Sequence, residues 1–381
     1  MQAKFLQIAD FHLDSKFLGF FDLDKIAIRK KELEETFKKV IQFTNAVKDQ
    51  EKLDFVLFAG DLFEQDCFSP QTIKSLIIYG LESLRPLPVF IVAGNHDPLI
   101  DGSPYLLYNW PDNVHIFPSD FEKFEVKKDV FIYGVSVTPG NFKNNILKDF
   151  KVKDPESLNI VLMHGAETGG GDIKVFGDCL PFSSEDAINS GADYFALGHY
   201  HNCRSVPYGS DLVKGFYSGS PEALSFKEMG ERFVLKVELK KNNPPLVEKI
   251  SFQHRTYKEI EIDCTGISSS ESVLDLLKES QDKDGVCNIV LTGDVDPDIR
   301  LDMEELQDFI KTENLFFAAN IKDKIRALYT DELVESSPLA KNYLKIFEDI
   351  EVKYPKEVLE VAKKLGLDAI FTKEIRGWNE I

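Results

Sequence analysis

The chain has 381 residues, of which 43% are hydrophobic and 29% are charged. It is too apolar for a disordered protein and long enough for two domains, or for one large domain with an appendage. The 45 Lys and Arg residues against 64 Asp and Glu give a net charge of −19, which argues against a non-specific nucleic-acid coat, because such binding depends on an excess of basic side chains.

The sequence carries no sign of a membrane or secreted protein. No apolar run approaches the roughly 18 residues of a membrane span, and the N-terminus enters a strand-like run without a signal-peptide pattern. The five cysteines stand singly, which favours neither a disulfide framework nor a zinc knuckle. We therefore expect a reduced, soluble, cytoplasmic protein.

The first 240 residues alternate short apolar runs with helical stretches, which is typical of an α/β fold. Most of the runs are nearly continuous in apolar residues, as expected of strands that are covered on both faces. The predicted strands are Lys4–Ala9, Asp54–Ala59, Val89–Ala93, Val130–Val137, Asn159–Met163, Tyr194–Leu197, Gly215–Ser218 and Phe233–Leu239. Helices are predicted for Lys25–Val47, from its apolar stripe, and for Ser69–Leu84, where Ser-Pro suits an N-cap followed by proline.

A smaller α+β unit is predicted after Arg255. Its strands are Tyr257–Ile262 and Cys287–Thr292, and its helices are Ser270–Glu279 and Asp302–Lys311. From about Asp331 the chain is predicted to be helical. One helix opens at Pro338 behind a capping Ser337, and a second opens at Pro355 and closes at Gly366. The first of these helices carries an apolar stripe of Leu339, Tyr343, Ile346, Phe347 and Ile350.

Five polar clusters follow predicted strands of the first unit, each directly after an apolar run. They are Asp10-Phe11-His12, Gly60-Asp61, Gly94-Asn95-His96-Asp97, His164-Gly165 and Gly198-His199-Tyr200-His201. Ligands collect at strand ends in an α/β sheet. The Asp-x-His and His-x-His spacings put both side chains of a pair on the same side of an extended backbone. We therefore expect the clusters to converge.

The clusters offer two Asp carboxylates, one Asn carbonyl and four or five imidazoles, which is more than one metal ion needs. A set of oxygen and imidazole donors without a thiolate favours Mn²⁺, Fe or Zn²⁺ in a catalytic site. Two ions about 3.5–4 Å apart can clamp the attacking and leaving oxygens of a phosphoryl displacement. A histidine that stands alone is more often structural, and His115 and His254 are interpreted in that way.

The motif order D-x-H, GD, GNHD, HG and GHxH resembles the signature of the calcineurin-like metallophosphoesterases. Within them the chain resembles the Mre11/SbcD nuclease family, especially its YhaO-like bacterial branch. The stretch 217–222, followed by Gly230-Glu231-Arg232, is similar to the one that closes the nuclease domain in that family. The resemblance implies a four-layer αββα core at residues 1–255, a small α+β cap domain at 256–330 and a helical C-terminal tail at 331–381.

The resemblance also implies a pair of divalent metal ions, most simply Mn²⁺, with Fe or Zn²⁺ as alternatives. The first ion would be held by Asp10, His12, Asp61 and His201. The second would be held by Asp61, Asn95, His164 and His199, with Asp61 as the bridge. His96 would not be a ligand; it would face the scissile phosphate and protonate the leaving oxygen, with Asp97 orienting its imidazole. The nucleophile would be a hydroxide shared by the ions.

The chain departs from the family pattern at one position near the site. Many archaeal and eukaryotic relatives have a second histidine three residues beyond the bridging aspartate, where this chain has Glu64. The departure leaves the metal set intact but leaves the balance of exonuclease and endonuclease activity open. Glu64 itself is interpreted as a solvated loop residue.

Partners follow from the same resemblance. Relatives work with an SMC-like ATPase of the Rad50/SbcC/YhaN kind that is held by their C-terminal helices, and this sequence has no ATP-binding G-x-x-x-x-G-K-[ST] loop of its own. The apolar stripe that begins at Leu339 is expected to dock on that partner; the alternative is packing on the cap domain. Relatives are commonly dimers, and the sequence leaves a homodimer open.

The amino-acid composition does not provide an obvious DNA-binding surface. Residues 256–330 contain 8 Lys and Arg against 17 Asp and Glu, so the cap is a poor clamp for a duplex. The basic run within Lys25–Lys39 is either a DNA contact or a solvated helix face. We expect a two-metal DNA nuclease, an exonuclease and/or an endonuclease, that acts in DNA repair. The alternatives are a phosphodiesterase or phosphatase for nucleotides or small phosphoesters, and a scaffold with a vestigial site.

Overall fold

The computed structural model describes residues 1–17, 22–168, 179–350 and 354–372, with the side chains of 348–350 left out. The chain forms two compact units, Met1–Arg255 and Thr256–Ile381. The division lies where the sequence analysis ends the nuclease domain, while a further division at residue 330 stays a prediction. None of the helices in the described ranges combines the length and the apolar character that a bilayer-spanning segment needs.

The first sheet of the first unit has six strands in the order β14-β13-β1-β2-β3-β4. Its strands are β1 (Gln2–Ile8), β2 (Phe55–Ala59), β3 (Val89–Val92), β4 (Val114–Ile116), β13 (Val234–Lys240) and β14 (Leu246–Ile250). Strands β1 to β4 are parallel, whereas β13 and β14 join antiparallel at the β1 edge. The carboxyl ends of β1, β2 and β3 therefore lie side by side.

The second sheet has six strands in the order β11-β12-β10-β7-β6-β5. Its strands are β5 (Glu122–Lys127), β6 (Val130–Val135), β7 (Leu158–His164), β10 (Tyr194–Gly198), β11 (Arg204–Val206) and β12 (Gly215–Tyr217). Strands β6, β7, β10 and β12 are parallel. A two-stranded ribbon of β8 (Glu167–Thr168) and β9 (Phe182–Ser183) lies between β7 and β10 in the chain.

The two sheets pack face to face around one apolar core. Phe5, Phe55 and Phe90 of the first sheet share this core with Ile132 and Ile160 of the second. A second core covers the other face of the second sheet and includes residues of α4 (Ser184–Asn189). Because continuous apolar runs form strands buried on both faces, this layered arrangement confirms the predicted α/β class.

The helices of the first unit follow the sequence prediction closely. Helix α1 (Leu23–Val47) buries the predicted apolar stripe, including Leu33, Phe37 and Val40. The helix predicted for Ser69–Leu84 is a wide-turned π-helix over Thr72–Ile78 that continues as α2 (Tyr79–Glu82). The Ser69 hydroxyl accepts from the Thr72 amide at 2.9 Å, as the Ser-Pro pair indicates. A short helix, α3 (Pro104–Leu107), follows β3.

The second unit contains a three-stranded parallel sheet in the order β15-β16-β18. Its strands are β15 (Tyr257–Asp263), β16 (Asp282–Thr292) and β18 (Phe316–Asp323), with a small ribbon of β17 (Asp294–Val295) and β19 (Arg326–Ala327). Helices α5 (Glu271–Glu279) and α6 (Met303–Thr312) pack on the sheet through Val273, Leu306 and Ile310.

Within the described residues after 330, the chain forms three helices, namely α7 (Asp331–Ser336), α8 (Pro338–Ile350) and α9 (Lys356–Phe371). Helix α9 continues past Gly366, so the prediction that this glycine ends the helix is wrong. A Cβ at Gly366 would lie 2.0 Å from the ring of Tyr343. The glycine therefore permits close packing of α8 on α9 instead of a C-cap.

Candidate metal centre

The five polar clusters meet at one edge of the two packed sheets. Asp10 and His12 follow β1, Asp61 follows β2, and the stretch 95–97 follows β3. From the facing sheet, His164 ends β7, and His199 and His201 follow β10. Because all five strands run parallel within their sheets, their carboxyl ends bring together residues that are up to 191 positions apart in the sequence.

Unusual backbone geometry turns the ligand side chains inward. Asp10, His12 and Asp61 have φ values of 51°, 48° and 51°, a left-handed conformation that is uncommon for residues other than glycine and is typical of functional sites. Hydrogen bonds hold this geometry, since the Asp10 amide donates to Gly60 O at 3.1 Å and the His12 amide donates to Asp61 O at 2.9 Å.

Glycine is required at the points of closest approach. A Cβ at Gly94 would lie 2.2 Å from Asp61 Oδ1, and one at Gly60 would lie 2.5 Å from His164 Nδ1. Any larger residue at these two positions would displace a carboxylate or an imidazole of the cluster. The glycines in the motifs therefore bring the strand ends close enough for their side chains to share one site.

One half of the site is formed by Asp10, His12 and His201, whose ligand atoms all lie within 4.8 Å of one another. His12 Nε2 lies 3.2 Å from His201 Nε2 and 3.5 Å from Asp61 Oδ2. The other ring nitrogen of each histidine contacts a carboxylate, Glu64 for His12 at 2.8 Å and Glu228 for His201 at 3.2 Å.

The other half is formed by Asn95, His164 and His199. Asn95 Oδ1 lies 2.9 Å from His164 Nε2 and 3.1 Å from His199 Nδ1. His164 Nε2 is also 3.3 Å from Asp61 Oδ2, so this one oxygen faces imidazoles of both halves. The structure thus brings all seven predicted ligands together and places Asp61 between the two groups.

Burial sets the protonation of these groups. Asp10, Asp61 and His12 are at most 2% exposed. Burial raises the pKa of Asp10 to about 6, and burial together with the Asp97 charge raises the pKa of Asp61. Burial also lowers the pKa of His12 to about 4 and lowers that of His164. These imidazoles are therefore neutral at pH 7 and keep a lone pair for a metal ion.

The residues fit a pair of divalent cations. Two buried carboxylates lie close together, and burial of such negative charge is costly unless cations neutralise it. The surrounding donors are imidazole nitrogens and an amide oxygen, which suit Mn²⁺, Fe or Zn²⁺. Metal ions that bind here would neutralise Asp10 and Asp61 and would use the neutral imidazoles as ligands.

His96 differs from the other histidines of the centre. Its side chain is 46% exposed, whereas that of His12 is 2% exposed. Its Nδ1 donates to Glu64 Oε2 at 3.0 Å, and this hydrogen bond is the main cause that raises the pKa of His96 to about 9. At neutral pH the imidazole therefore carries a proton at the open rim of the site.

The carboxylate that orients His96 is Glu64, so two sequence predictions are corrected. The Asp97 carboxylate accepts from the amides of Gly94 at 2.6 Å and Leu62 at 2.7 Å, and from the Tyr105 hydroxyl at 2.7 Å. Asp97 thus fixes the backbone around the site. Glu64 is not a solvated loop residue, because both of its carboxylate oxygens accept from imidazoles of the centre.

Sequence reasoning also missed two further residues at the centre, Glu228 and Cys179. Glu228 contacts His201 Nδ1 at 3.2 Å. The Glu228 hydrogen bond and nearby carboxylates outweigh burial and raise the pKa of His201 to about 9. Cys179 is buried, and its sulfur lies within 4.8 Å of ligand nitrogens of His164 and His199. Its thiol donates to His164 O at 3.5 Å, and burial raises its pKa. Neither residue stands in a recognisable motif, since both approach the site through tertiary packing alone.

The chain belongs to the calcineurin-like phosphoesterases, because the family model described as "Calcineurin-like phosphoesterase" matches residues 3–203. It is 32% identical over 239 residues to the uncharacterized metallophosphoesterase YhaO of Bacillus subtilis (strain 168), which covers 60% of this chain and 55% of YhaO. It is 24% identical over 329 residues to the DNA double-strand break repair protein Mre11 of Archaeoglobus fulgidus, which covers 78% of this chain and 70% of Mre11.

Among solved structures, the NAD nucleotidase NadN of Haemophilus influenzae is similar to this chain. The alignment covers 82% of this chain and 67% of the NadN chain, with 14% sequence identity and a TM-score of 0.28. The chain spans about 55% of the length of YhaO. Members of the family bind divalent metal ions. The family assignment therefore supports a metal-dependent phosphoesterase chemistry for the site at residues 10–201.

Proposed function

We propose that the chain is a two-metal DNA nuclease that hydrolyses phosphodiester bonds as an exonuclease, an endonuclease or both. The observation that carries the proposal is the pairing of a deep, buried ligand set with the exposed His96, which Glu64 holds at the open rim of the site. Support for DNA as the substrate comes from the similarity to the archaeal DNA double-strand break repair protein Mre11. A role in DNA repair in the cytoplasm belongs to the same proposal.

The ligand roles follow the two halves of the site. In this proposal Asp10, His12, Asp61 and His201 hold one ion, and Asp61, Asn95, His164 and His199 hold the other. Mn²⁺ is the proposed ion, with Fe or Zn²⁺ as alternatives. When bound, the ions supply Lewis acidity for the phosphoryl group and lower the pKa of water.

His96 carries out the proton chemistry of the proposed reaction. Its Nδ1 is fixed by Glu64, so Nε2 is the atom that can reach a substrate. A proton on Nε2 can be donated to the oxygen that leaves the phosphorus atom, as expected of a general acid within hydrogen-bond reach. The high pKa of His96, about 9, keeps this proton in place at neutral pH.

The basic run of α1 contributes little to the proposed DNA contact. Arg29 is fully buried and pairs with Glu222 at 2.7 Å. Lys31 and Lys38 pair with Glu35 and Glu34 of the same helix. These contacts favour the solvated-face interpretation for most of the run. We therefore propose that a partner protein supplies much of the affinity for DNA, which explains how a chain with a net charge of −19 can act on a polyanion.

The proposed partner is an SMC-type ATPase of the Rad50/SbcC/YhaN kind that docks on α8. Part of the predicted apolar stripe on this helix packs within the second unit: the Tyr343 hydroxyl donates to Ala362 O of α9, and Phe347 is only 6% exposed. Leu339 and Ile346 are 64% and 57% exposed. These two side chains are the proposed contacts for the partner. A homodimer stays a prediction.

The decisive experiment compares substrates for one preparation of the protein with Mn²⁺. Initial rates are measured on linear DNA, on cyclic nucleotides and on bis(4-nitrophenyl) phosphate, with and without EDTA. We expect cleavage of linear DNA that EDTA abolishes. Efficient turnover of the nucleotides with no cleavage of DNA would contradict the proposal.

That contrary outcome would favour the second candidate, a phosphodiesterase or phosphatase for nucleotides or small phosphoesters. The net charge of −19 is the observation in its favour, because a small substrate makes fewer contacts with an acidic surface than a duplex does. Both candidates use the same metal centre.

A further inference from the structure

Glu64 joins two imidazoles of the metal centre through the two oxygens of a single carboxylate. Oε1 accepts from His12 Nδ1 at 2.8 Å, and Oε2 accepts from His96 Nδ1 at 3.0 Å. The Glu64 side chain is 20% exposed, which places it at the border between the buried ligands and solvent. His12 is a proposed metal ligand and His96 is the proposed general acid, so this carboxylate contacts both parts of the proposed machinery.

Backbone hydrogen bonds hold Glu64 in this position. Its amide donates to Leu13 O at 3.0 Å, next to His12, and the Gln65 amide donates to His96 O at 2.9 Å. Three chain segments that meet only through folding are thus fixed together at this residue. The fold therefore places the backbone of Glu64 between the two histidines, within reach of both Nδ1 atoms.

We propose that Glu64 is a positioning residue that keeps both Nδ1 atoms protonated and sets the ring orientations of His12 and His96 together. The inference deepens the proposed function and rests on it for the role of His96 in catalysis. One acidic side chain then determines the geometry of a metal ligand and of the group that meets the substrate.

The argument depends on what a carboxylate can do. An ionised carboxylate only accepts hydrogen bonds, so each Nδ1 that contacts Glu64 must carry a proton. With Nδ1 of His12 directed at Glu64, the opposite ring nitrogen Nε2 faces the centre and lies 3.5 Å from Asp61 Oδ2. For His96 it leaves Nε2 directed away from Glu64 and available to a substrate. Such partners of ligand histidines fix ring orientation and raise ligand basicity.

The burial of the two histidines separates their roles. The His12 side chain is 2% exposed and the His96 side chain is 46% exposed. Only His96 can therefore meet a bulky phosphodiester without a change in the fold. A substitution at Glu64 should alter a buried ligand and an exposed acid at the same time, which a loop residue with a purely structural role would not do.

Glu64→Gln is the informative variant because it changes chemistry and keeps size. A glutamine amide offers one accepting oxygen and one donating nitrogen, so it can satisfy only one of the two Nδ1–H groups. The other imidazole must lose its Nδ1 proton or rotate. Asp66→Asn is the matched control, since it removes the same charge from an exposed residue two positions along the chain.

The first measurement is long-range ¹H–¹⁵N NMR of the full chain, labelled with [¹⁵N]histidine and loaded with diamagnetic Zn²⁺. Signals are assigned by single histidine substitutions. We expect protons on Nδ1 of both His12 and His96 in the wild type and in Asp66→Asn. In Glu64→Gln we expect one of the two rings either to lose this proton or to show shifted ring ¹⁵N signals because it has rotated. An unprotonated Nδ1 at either residue in the wild type would overturn the proposal, as would an unchanged spectrum of Glu64→Gln.

The second measurement is the turnover of bis(4-nitrophenyl) phosphate with Mn²⁺. We expect kcat of Glu64→Gln to fall by about 10- to 100-fold, the usual effect of removing a hydrogen-bond partner behind a ligand, with a smaller change in KM. Values within twofold of Asp66→Asn would overturn the proposal. The NMR result does not depend on substrate, so failure to cleave DNA would contradict the proposed function and leave this test intact.

Discussion

The Nε2 atoms of His12 and His201 face each other at 3.2 Å, although the residues are 189 positions apart in the sequence. Each ring contacts a carboxylate through Nδ1, Glu64 for His12 and Glu228 for His201. Both Nε2 atoms are therefore directed into the centre, close to the carboxylate of Asp10. Two imidazole nitrogens and a carboxylate that converge in this way are the typical surroundings of a transition-metal ion.

The first prediction is that Mn²⁺ stabilises the fold through this group. An ion at a hundred times its dissociation constant adds about 2.7 kcal/mol to the free energy of unfolding, because it binds the folded state alone. For a unit of this size that corresponds to a rise in Tm of roughly 5–10 °C. Differential scanning fluorimetry with increasing Mn²⁺, after EDTA treatment, measures the rise.

The matched pair of variants for this prediction is His201→Ala and His115→Gln. His201 belongs to the centre, whereas His115 contacts Glu122 at 2.9 Å on β5. We expect the rise in Tm to be reduced in His201→Ala and retained in His115→Gln. Equal rises in the two variants would show that the stabilising ion binds elsewhere.

The second prediction is that metal binding releases a proton and strengthens as the pH rises. The Glu228 hydrogen bond and nearby carboxylates outweigh burial and raise the pKa of His201 to about 9. At pH 7 this imidazole is protonated, and it must lose the proton to bind an ion. Affinity should therefore increase from pH 7 towards pH 9. Titration calorimetry at pH 7 in buffers of different ionisation enthalpy measures the release; identical heats in all buffers would contradict it.

The third prediction is that Asp97 acts on stability and has no role in proton transfer. Its two oxygens accept from three backbone amides and from the Tyr105 hydroxyl. Asp97→Asn replaces one accepting oxygen with a donor and should lower the free energy of unfolding by about 1–3 kcal/mol. Urea denaturation measures this loss.

Tyr105→Phe provides the comparison for Asp97. It removes one of the four hydrogen bonds and leaves the carboxylate in place, so it should cost less than Asp97→Asn and leave kcat nearly unchanged. A stable Asp97→Asn variant with a large loss of kcat would instead restore the orienting role that the sequence predicts for Asp97.

The comparison of the predicted and observed elements shows which parts of the fold and site could be predicted from the sequence. Strands such as β2 and β7 are buried along their whole length, so their continuous apolar runs identify them. The edge strand β14 has no fully buried residue and is mostly exposed, and β4 is only three residues long. Short or exposed edge strands carry a weak apolar pattern, and the sequence analysis missed both.

In the site, too, some features follow from the sequence pattern and others depend on tertiary packing. The seven proposed ligands follow strand ends, and strand ends of a parallel sheet meet whatever the details of packing. The carboxylate partner of His96 depends on those details. Asp97 is adjacent to His96 in the sequence, but its carboxylate is occupied by backbone amides, whereas Glu64 reaches the ring across 32 positions. Only the folded chain shows which carboxylate contacts the imidazole.

The fourth prediction concerns His96 and separates catalysis from metal binding. Because the proposed ligands do not include His96, His96→Ala should keep the metal content of the wild type and lose most of its phosphodiesterase activity. Removal of a general acid typically costs about 10²- to 10⁴-fold in rate. Metal analysis by mass spectrometry and initial rates with Mn²⁺ measure the two effects. A variant that no longer retains metal would assign His96 to the ligand set.

The fifth prediction concerns a buried ion pair that fixes α1 to the loop behind the centre. Arg29 Nη2 donates to Glu222 Oε2 at 2.7 Å, and neither side chain is exposed. Glu222 also accepts from the Thr36 hydroxyl at 2.9 Å. The loop that begins with Glu222 leads to Glu228, the partner of His201. The ion pair therefore stabilises the fold and helps to place a ligand.

Arg29→Met should lower the free energy of unfolding by about 3–5 kcal/mol, because it leaves the Glu222 charge buried without its partner. Lys31→Ala is the control on the same helix, since Lys31 is exposed and lies 3.9 Å from Glu35; exposed pairs contribute at most about 1 kcal/mol. The double variant Arg29→Met/Glu222→Gln should recover part of the loss, because it removes the uncompensated charge. Urea denaturation of the three variants measures these differences, and an Arg29→Met variant as stable as Lys31→Ala would show that the buried pair does not hold the loop.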